Sequence, residues 1–359
     1  MEKLASLKSD APPSEPRRGK LKVFLGATPG AGKTFAMLRE AHDLQAHGHD
    51  IAVGFVETYN RPRTVELISG LEVIPRIRVE YRGTVQEEMD LEAVLRRKPE
   101  IALVDELAHT NVPGVRHAKR WQDVEDIRAA GIDVITTVNV QHVESVKDLV
   151  ERVTGIVVRE TVPDKELDGA DEIQFIDITP EALRKRMRHG NIYAKDKVET
   201  ALANFFRPQN LSAMRQIGLR LVADSMARSR NVIESPEDVL VAVSRDSSSE
   251  DLIRRGARLA RRLGGSCIVV TVRMDSSNEA EVVRLRSLSA QLGASFAVLG
   301  GTDVADAVIQ AALDASVEHV VVGEMVSGAA WSSLRPTLVD RIIDGLPGSD
   351  VHVIARLVQ

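Results

Sequence analysis

The chain of 359 residues has a single cysteine, Cys267. An intramolecular disulfide is therefore excluded, and the composition fits a reducing compartment. The N-terminus has no basic stretch leading into an apolar core, so no secretory signal is expected. Long hydrophobic runs are also missing, and the longest, such as Cys267 to Val272, are far too short to cross a bilayer. Positive charge is not in excess: the formal net charge is −5, which gives no general electrostatic reason to bind nucleic acid or an anionic membrane. His42, His47 and His49 lack the partner carboxylates or cysteines of a metal site and read as surface histidines. These absences point to a soluble, cytoplasmic protein with no membrane insertion. Its length suggests two or three domains, and a hydrophobic content of 43% is enough to fill their cores.

The most informative stretch present is Gly26-Ala27-Thr28-Pro29-Gly30-Ala31-Gly32-Lys33-Thr34, between the apolar run Leu21–Leu25 and a helical pattern from Phe35. Strand, glycine-rich turn and helix form the context of a P-loop. Glycine lets the backbone wrap closely enough for successive N–H groups to face one phosphate, and the helix N-terminus adds partial positive charge there. Gly26, Thr28, Pro29, Gly30, Ala31 and Gly32 would cradle the phosphates. Lys33 would reach the β- and γ-phosphates, and Thr34 would ligate Mg²⁺. A second motif, Ile101-Ala102-Leu103-Val104-Asp105-Glu106, is a Walker B pattern. In it Asp105 holds the metal beside Thr34, and Glu106 orients or deprotonates an attacking water. ATP and Mg²⁺ are the expected cofactors.

Apolar runs alternate with helical patterns from Leu21 to about Asp177, predicting βαβ units and a P-loop NTPase-like parallel sheet. Expected strands include Ile51–Val56, Arg78–Tyr81, Ile132–Val138, Ile156–Val158 and Ile173–Ile176, and expected helices include Thr84–Arg97 and Trp121–Ala130. In the segment after Asp105, Arg116, Lys119 or Arg120 could contact phosphate in cis or in trans, or simply line a surface loop. Trp121 would cover a base or fill core. Asn139 and Gln141 are candidates for sensing the γ-phosphate, with helix capping as the alternative. Residues 1–19 read as a flexible tail, 20–178 as the nucleotide-binding domain, 179–235 as a helical extension and 236–359 as a second α/β domain.

Gly26–Thr34, Val104–Asn111, Arg116–Val124, Thr136–His142, Arg159–Asp164 and Asn204–Phe206 together resemble the signature segments of the KdpD family, from about Gly19 to the chain's end. These are potassium- and turgor-sensing kinases. The resemblance implies a cytoplasmic sensor region that binds ATP and modulates a kinase module acting on potassium-transport genes, as part of a two-component system. The family pattern continues into four transmembrane helices and a histidine kinase core, neither of which is found here. The sequence also has no His-Glu-hydrophobic phosphoacceptor motif and no Asp-x-Gly-x-Gly box. The chain is expected to be a short or truncated sensor region that does not autophosphorylate and is at most a weak ATPase.

The C-terminal pattern, from a strand at Val239–Val243 to one at Val351–Ala355, resembles the doubly wound, Rossmann-like universal stress protein fold. Gly323 is followed by Glu324-Met325-Val326, which departs from that family's ATP motif. Some KdpD proteins bind cyclic di-AMP through this domain. Ser244 and Asp246 are present at the expected place, but Cys267–Thr271 lacks the aromatics that would stack on adenine. Three readings stay open: a regulatory ATP-binding module, an ATPase, and a cyclic di-AMP receptor. Expected partners are a KdpD-type or other histidine kinase or a potassium-transport protein. The contact faces would be the basic loop Arg116–Arg120 or the helices between Thr179 and Arg230, and homodimer formation is left open.

Overall fold

The computed structural model describes residues 17–59, 61–188, 195–229, 236–244, 249–273, 279–324 and 337–355. Asp246, Met325, Val326 and Arg230, which carried some of the sequence expectations, lie outside them. The chain divides into two compact units. One takes the residues up to Leu25, Gly32–Val138 and Ala170–Ile176, and the other takes Gly26–Ala31, Asn139–Gly169 and the residues from Asp177 onward.

The first unit runs β1 (Leu21–Gly26), α1 (Lys33–Ala46), β2 (Ile51–Phe55), α2 (Pro62–Ile68), β3 (Glu72–Val73), β4 (Ile77–Tyr81), β5 (Thr84–Glu88), α3 (Leu91–Arg97), β6 (Ile101–Val104), α4 (Arg120–Ala129), β7 (Asp133–Asn139) and β8 (Glu172–Ile176). Six strands form one sheet in the order β3-β2-β6-β7-β1-β8. The pairings of β2 with β3, β2 with β6 and β6 with β7 are parallel. Every residue of β2 and β6 is buried, the expected pattern of a parallel strand covered on both faces. Met37, Leu38 and Ala41 of α1 pack on Phe24, Val53, Leu103 and Ile135. The parallel pairing of β6 and β7 places their carboxyl ends side by side, with β1 next in the sheet.

Two expectations fail in instructive ways. Thr84–Glu88 is not the start of a helix: it pairs antiparallel with β4, Tyr81 opposite Thr84. The two residues between them, Arg82 and Gly83, both have positive φ (50° and 76°), as a two-residue hairpin turn requires. The helix begins only at Leu91, where the Asp90 side chain accepts from the Ala93 N–H. Ile156–Val158 is not a strand. Gly155 ends the preceding helix in a left-handed conformation, and Val157 is 71% exposed. The sheet edge beside β1 is taken by β8 instead.

The second unit contains α5 (Lys147–Thr154), α6 (Asp164–Asp168), α7 (Pro180–Arg188), α8 (Lys195–Ala203), α9 (Pro208–Ser229), β9 (Glu237–Ala242), α10 (Ser249–Leu263), β10 (Gly264–Val272), α11 (Glu279–Gln291), β11 (Ser295–Leu299), α12 (Val304–Asp314), β12 (His319–Gly323), α13 (Leu338–Gly345) and β13 (Asp350–Ile354). Its five strands are all parallel, in the order β11-β10-β9-β12-β13. Val239 and Val241 of β9 face a core shared with α10 and α11, while Leu240 faces one shared with α12 and α13. Helices therefore cover both faces, and the domain is doubly wound. Gly256 lets α10 lie close on β9, because a Cβ there would stand 2.1 Å from Val241. Cys267 is buried in this core, and burial pushes its thiol up to about 12, which disfavours the thiolate. Leu183, Met187, Val198, Leu202, Phe206 and Leu211 form a separate core for α7, α8 and α9.

One face of α10 carries Arg254, Arg258 and Arg261 at helical spacing. Arg254 pairs with Glu144 at 2.9 Å, Arg258 with Asp148 at 2.7 Å, and Arg261 with Asp164. Burial raises the Asp164 carboxyl above its usual range, and Arg261 acts against that shift. Only 6% of the Arg254 side chain and 5% of the Glu144 side chain are exposed, so removing either partner strands a buried charge. Arg254→Ala is expected to destabilise the second unit by about 3–5 kcal/mol, read as a lowered denaturant midpoint. An unchanged midpoint would show that the pair holds nothing together.

Candidate functional site

The turn between β1 and α1 has the backbone that its glycines imply. Gly30 and Gly32 have φ of 83° and 110°, the left-handed region that glycine enters without strain. Gly32 caps α1 with no side chain, and the first turn of the helix contains no acidic residue. A helix start with no side-chain cap and no acid in its first turn has the chemistry of an anion site. Lys33 follows, 8% exposed. Desolvation pulls its amine down to about 8, with Asp105 and Glu106 acting in the opposite direction. Thr28 is buried, and its hydroxyl has no hydrogen-bond partner among the described residues. Arg186 of α7 donates to the carbonyls of Gly30, at 3.4 Å, and Ala31, at 3.3 Å.

Asp105 leaves the end of β6 and is 2% exposed. Its Oδ2 accepts from the Thr34 hydroxyl at 3.0 Å and from the Glu57 N–H at 3.4 Å. Its Oδ1 accepts from the Thr137 hydroxyl and from the Glu106 N–H at 3.1 Å. The two residues that the sequence paired as metal ligands, Thr34 and Asp105, are therefore in contact although 71 residues apart. A hydroxyl and a carboxylate are hard oxygen donors and suit Mg²⁺. An uncapped helix start beside a buried lysine suits a phosphate chain.

Glu106 has a φ of 60°, uncommon for a non-glycine residue. Its Oε1 accepts from the Tyr59 hydroxyl, and its Oε2 lies 4.0 Å from Arg120 Nη1. Burial, then the neighbouring Asp105 charge, raises its carboxyl above the usual range. The same surroundings push the Tyr59 phenol upward, so it remains a proton donor. Sequence reasoning missed Tyr59, Thr137, Glu57 and Arg186. Thr137 alone had a signal, lying in a polar strand end parallel to the Asp105 strand.

Arg120 is fully buried. Its guanidinium lies 3.7 Å from the Phe55 ring centroid, donates to Glu88 at 2.9 Å and reaches the Asp105 carbonyl at 3.3 Å. The basic-loop docking surface expected at Arg116–Arg120 is corrected at this residue, since its charge is spent inside the fold. Arg116 is on the surface, paired with Glu92 at 3.0 Å and Asp126 at 2.8 Å. Asn139 closes β7, and Gln141 lies in the 3-10 turn that follows. Both group with the second unit, and the Gln141 amide nitrogen contacts the His142 ring at 3.3 Å.

The family model described as the osmosensitive K+ channel His kinase sensor domain matches residues 17–226. A sensor protein KdpD from Mycobacterium tuberculosis strain H37Rv is 43% identical over 355 residues, 95% of this chain and 41% of its own. The Escherichia coli K12 sensor protein KdpD is 42% identical, over 95% of this chain and 40% of its own. A putative sensor protein KdpD from Synechocystis sp. PCC 6803 is 40% identical and is matched over 95% of both chains. The chain thus spans about two fifths of the length of the first two relatives and nearly all of the third. A universal stress protein structure from Archaeoglobus fulgidus overlaps 36% of this chain and 98% of its own at 17% identity, with a TM-score of 0.25. That fit is too slight to carry an argument, and the doubly wound architecture rests on the strand order and register above. No helix among the described residues is long and apolar enough to cross a membrane.

Proposed function

The chain belongs to the KdpD sensor family, and from that premise we propose that it is an ATP-binding regulatory module of potassium or osmotic signalling, read by a histidine kinase or a potassium-transport protein. The observation that carries the nucleotide site is the 3.0 Å contact of Thr34 with Asp105 beside the buried Lys33. In this reading the start of α1 and the Lys33 ammonium hold the β- and γ-phosphates. Thr34 and Asp105 ligate Mg²⁺, which neutralises phosphate charge when bound. Thr137 and the Glu57 N–H keep the Asp105 carboxylate aimed, so the ligand geometry exists before the metal arrives. Arg186 ties the loop carbonyls to α7. A ligand shifts an equilibrium between two states of the module only by its differential affinity for them.

A second reading is favoured by one placement, that of Glu106 next to the metal-binding Asp105. A carboxylate there can orient or deprotonate water, which makes the module a slow ATPase.

Lys33→Ala should weaken MgATP binding about tenfold to hundredfold, the worth of a charge-assisted contact, with little change in the melting temperature of the free protein. Isothermal titration calorimetry reads this, and equal affinity in the variant would remove the phosphate site from the loop. Glu106→Gln should keep that affinity while abolishing phosphate release. Hydrolysis at the parent rate in the variant would leave the chain without an assigned base.

A further inference from the structure

Tyr59 stands where it governs the group proposed as the base. The chain leaves β2 at Phe55 and passes Glu57, whose N–H reaches Asp105. Tyr59 N–H then donates to the Glu57 carboxylate at 3.2 Å, which turns the ring toward Glu106. The Tyr59 hydroxyl donates to Glu106 Oε1, and the other oxygen faces Arg120 at 4.0 Å. One oxygen thus carries a hydrogen bond, and the other lies 4.0 Å from a cation, beyond hydrogen-bond reach. A carboxylate oxygen that accepts a hydrogen bond is less basic and is held in one direction, whereas a general base must be directed at the proton it takes.

We propose that Tyr59 is a positioning residue that holds Glu106 in a resting arrangement, its hydrogen bond lowering the basicity of the carboxylate and fixing its direction, so that hydrolysis speeds up when the contact is released. The proposal rests on the reading of Glu106 as the base. In turnover the water oxygen bonds the γ-phosphorus while the bond to the β–γ bridging oxygen breaks. The electron pair leaves with ADP, and water's proton passes to Glu106.

The surroundings of Tyr59 suit a group that lets go. It is 57% exposed, so withdrawing the hydroxyl empties no core. Its ring is covered by the Arg61 guanidinium at 4.9 Å. Tyr59 and Glu106 both have positive φ, 49° and 60°. Non-glycine residues keep that conformation only where their surroundings enforce it, and such positions gather at switching and active sites. The contact spans 47 residues of sequence and joins the exits of two neighbouring strands, β2 and β6. A shift of either exit breaks it.

Phosphate release at saturating MgATP would be compared for the parent, Tyr59→Phe, Glu106→Gln and the double variant, alongside calorimetric ATP affinity. Phenylalanine keeps the ring and removes only the donor. Tyr59→Phe is expected to raise kcat about tenfold, the worth of a hydrogen bond to a charged group, with ATP affinity unchanged. The double variant is expected to fall to the Glu106→Gln level. A Tyr59→Phe rate at or below the parent's, including no release from either, overturns the inference and leaves the base assignment to Glu106→Gln alone. A Tyr59→Phe gain that survives in the double variant overturns the base assignment itself, and the inference with it.

Discussion

The first unit depends on one carboxylate. Asp105 is 2% exposed, and burying a charge is costly unless hydrogen bonds replace the lost water. Four groups do so here: the hydroxyls of Thr34 and Thr137 and the N–H groups of Glu57 and Glu106. They come from the start of α1, the end of β7, the exit of β2 and the residue after Asp105. Only the observed strand order brings those places together, because β6 lies between β2 and β7, with β1 next beyond β7. The fold and the candidate site are thus two statements of the same constraint. A sheet that misplaced any of these ends would leave a buried charge unsatisfied.

Buried charge serves a different end elsewhere. Arg120 is enclosed with Glu88 and fastens the segment after Asp105 to the hairpin, fixing where Glu106 leaves the strand. In the second unit three arginines of α10 meet Glu144, Asp148 and Asp164, so the doubly wound domain is held by ion pairs to the segment that follows β7. Such pairs cost desolvation and contribute little net stability over apolar packing, yet losing one partner is expensive. They therefore specify one arrangement strongly. The start of α1, by contrast, has no side-chain cap and no acidic residue in its first turn.

Much of this was legible in the sequence. The strand, turn and helix around Gly26–Thr34 and the strand that ends before Asp105 were readable because glycine-rich turns and apolar runs carry local signals. The C-terminal elements were readable from apolar periodicity, and their bounds fell within a few residues. The failures have physical causes. Thr84–Met89 is rich in Gln, Glu and Met, good helix formers, so propensity pointed one way. The Arg82-Gly83 turn pointed the other and won through pairing with β4. Ile156–Val158 has strand-forming residues, but β8 holds the edge beside β1. Arg120 read as a surface cation because its counterion, Glu88, is 32 residues away. Tyr59 and Arg186 act across 47 and 156 residues, and no local pattern announces such contacts.

The central claim is that Thr34 and Asp105 form a preset metal site on a bound nucleotide. Its most direct test is ATP affinity measured with and without Mg²⁺ for the parent and for Asp105→Asn, a replacement of the same shape. The parent should bind ATP about tenfold or more tightly when Mg²⁺ is present, and the variant should lose that gain while still binding metal-free ATP. An undiminished Mg²⁺ gain in Asp105→Asn would contradict the account.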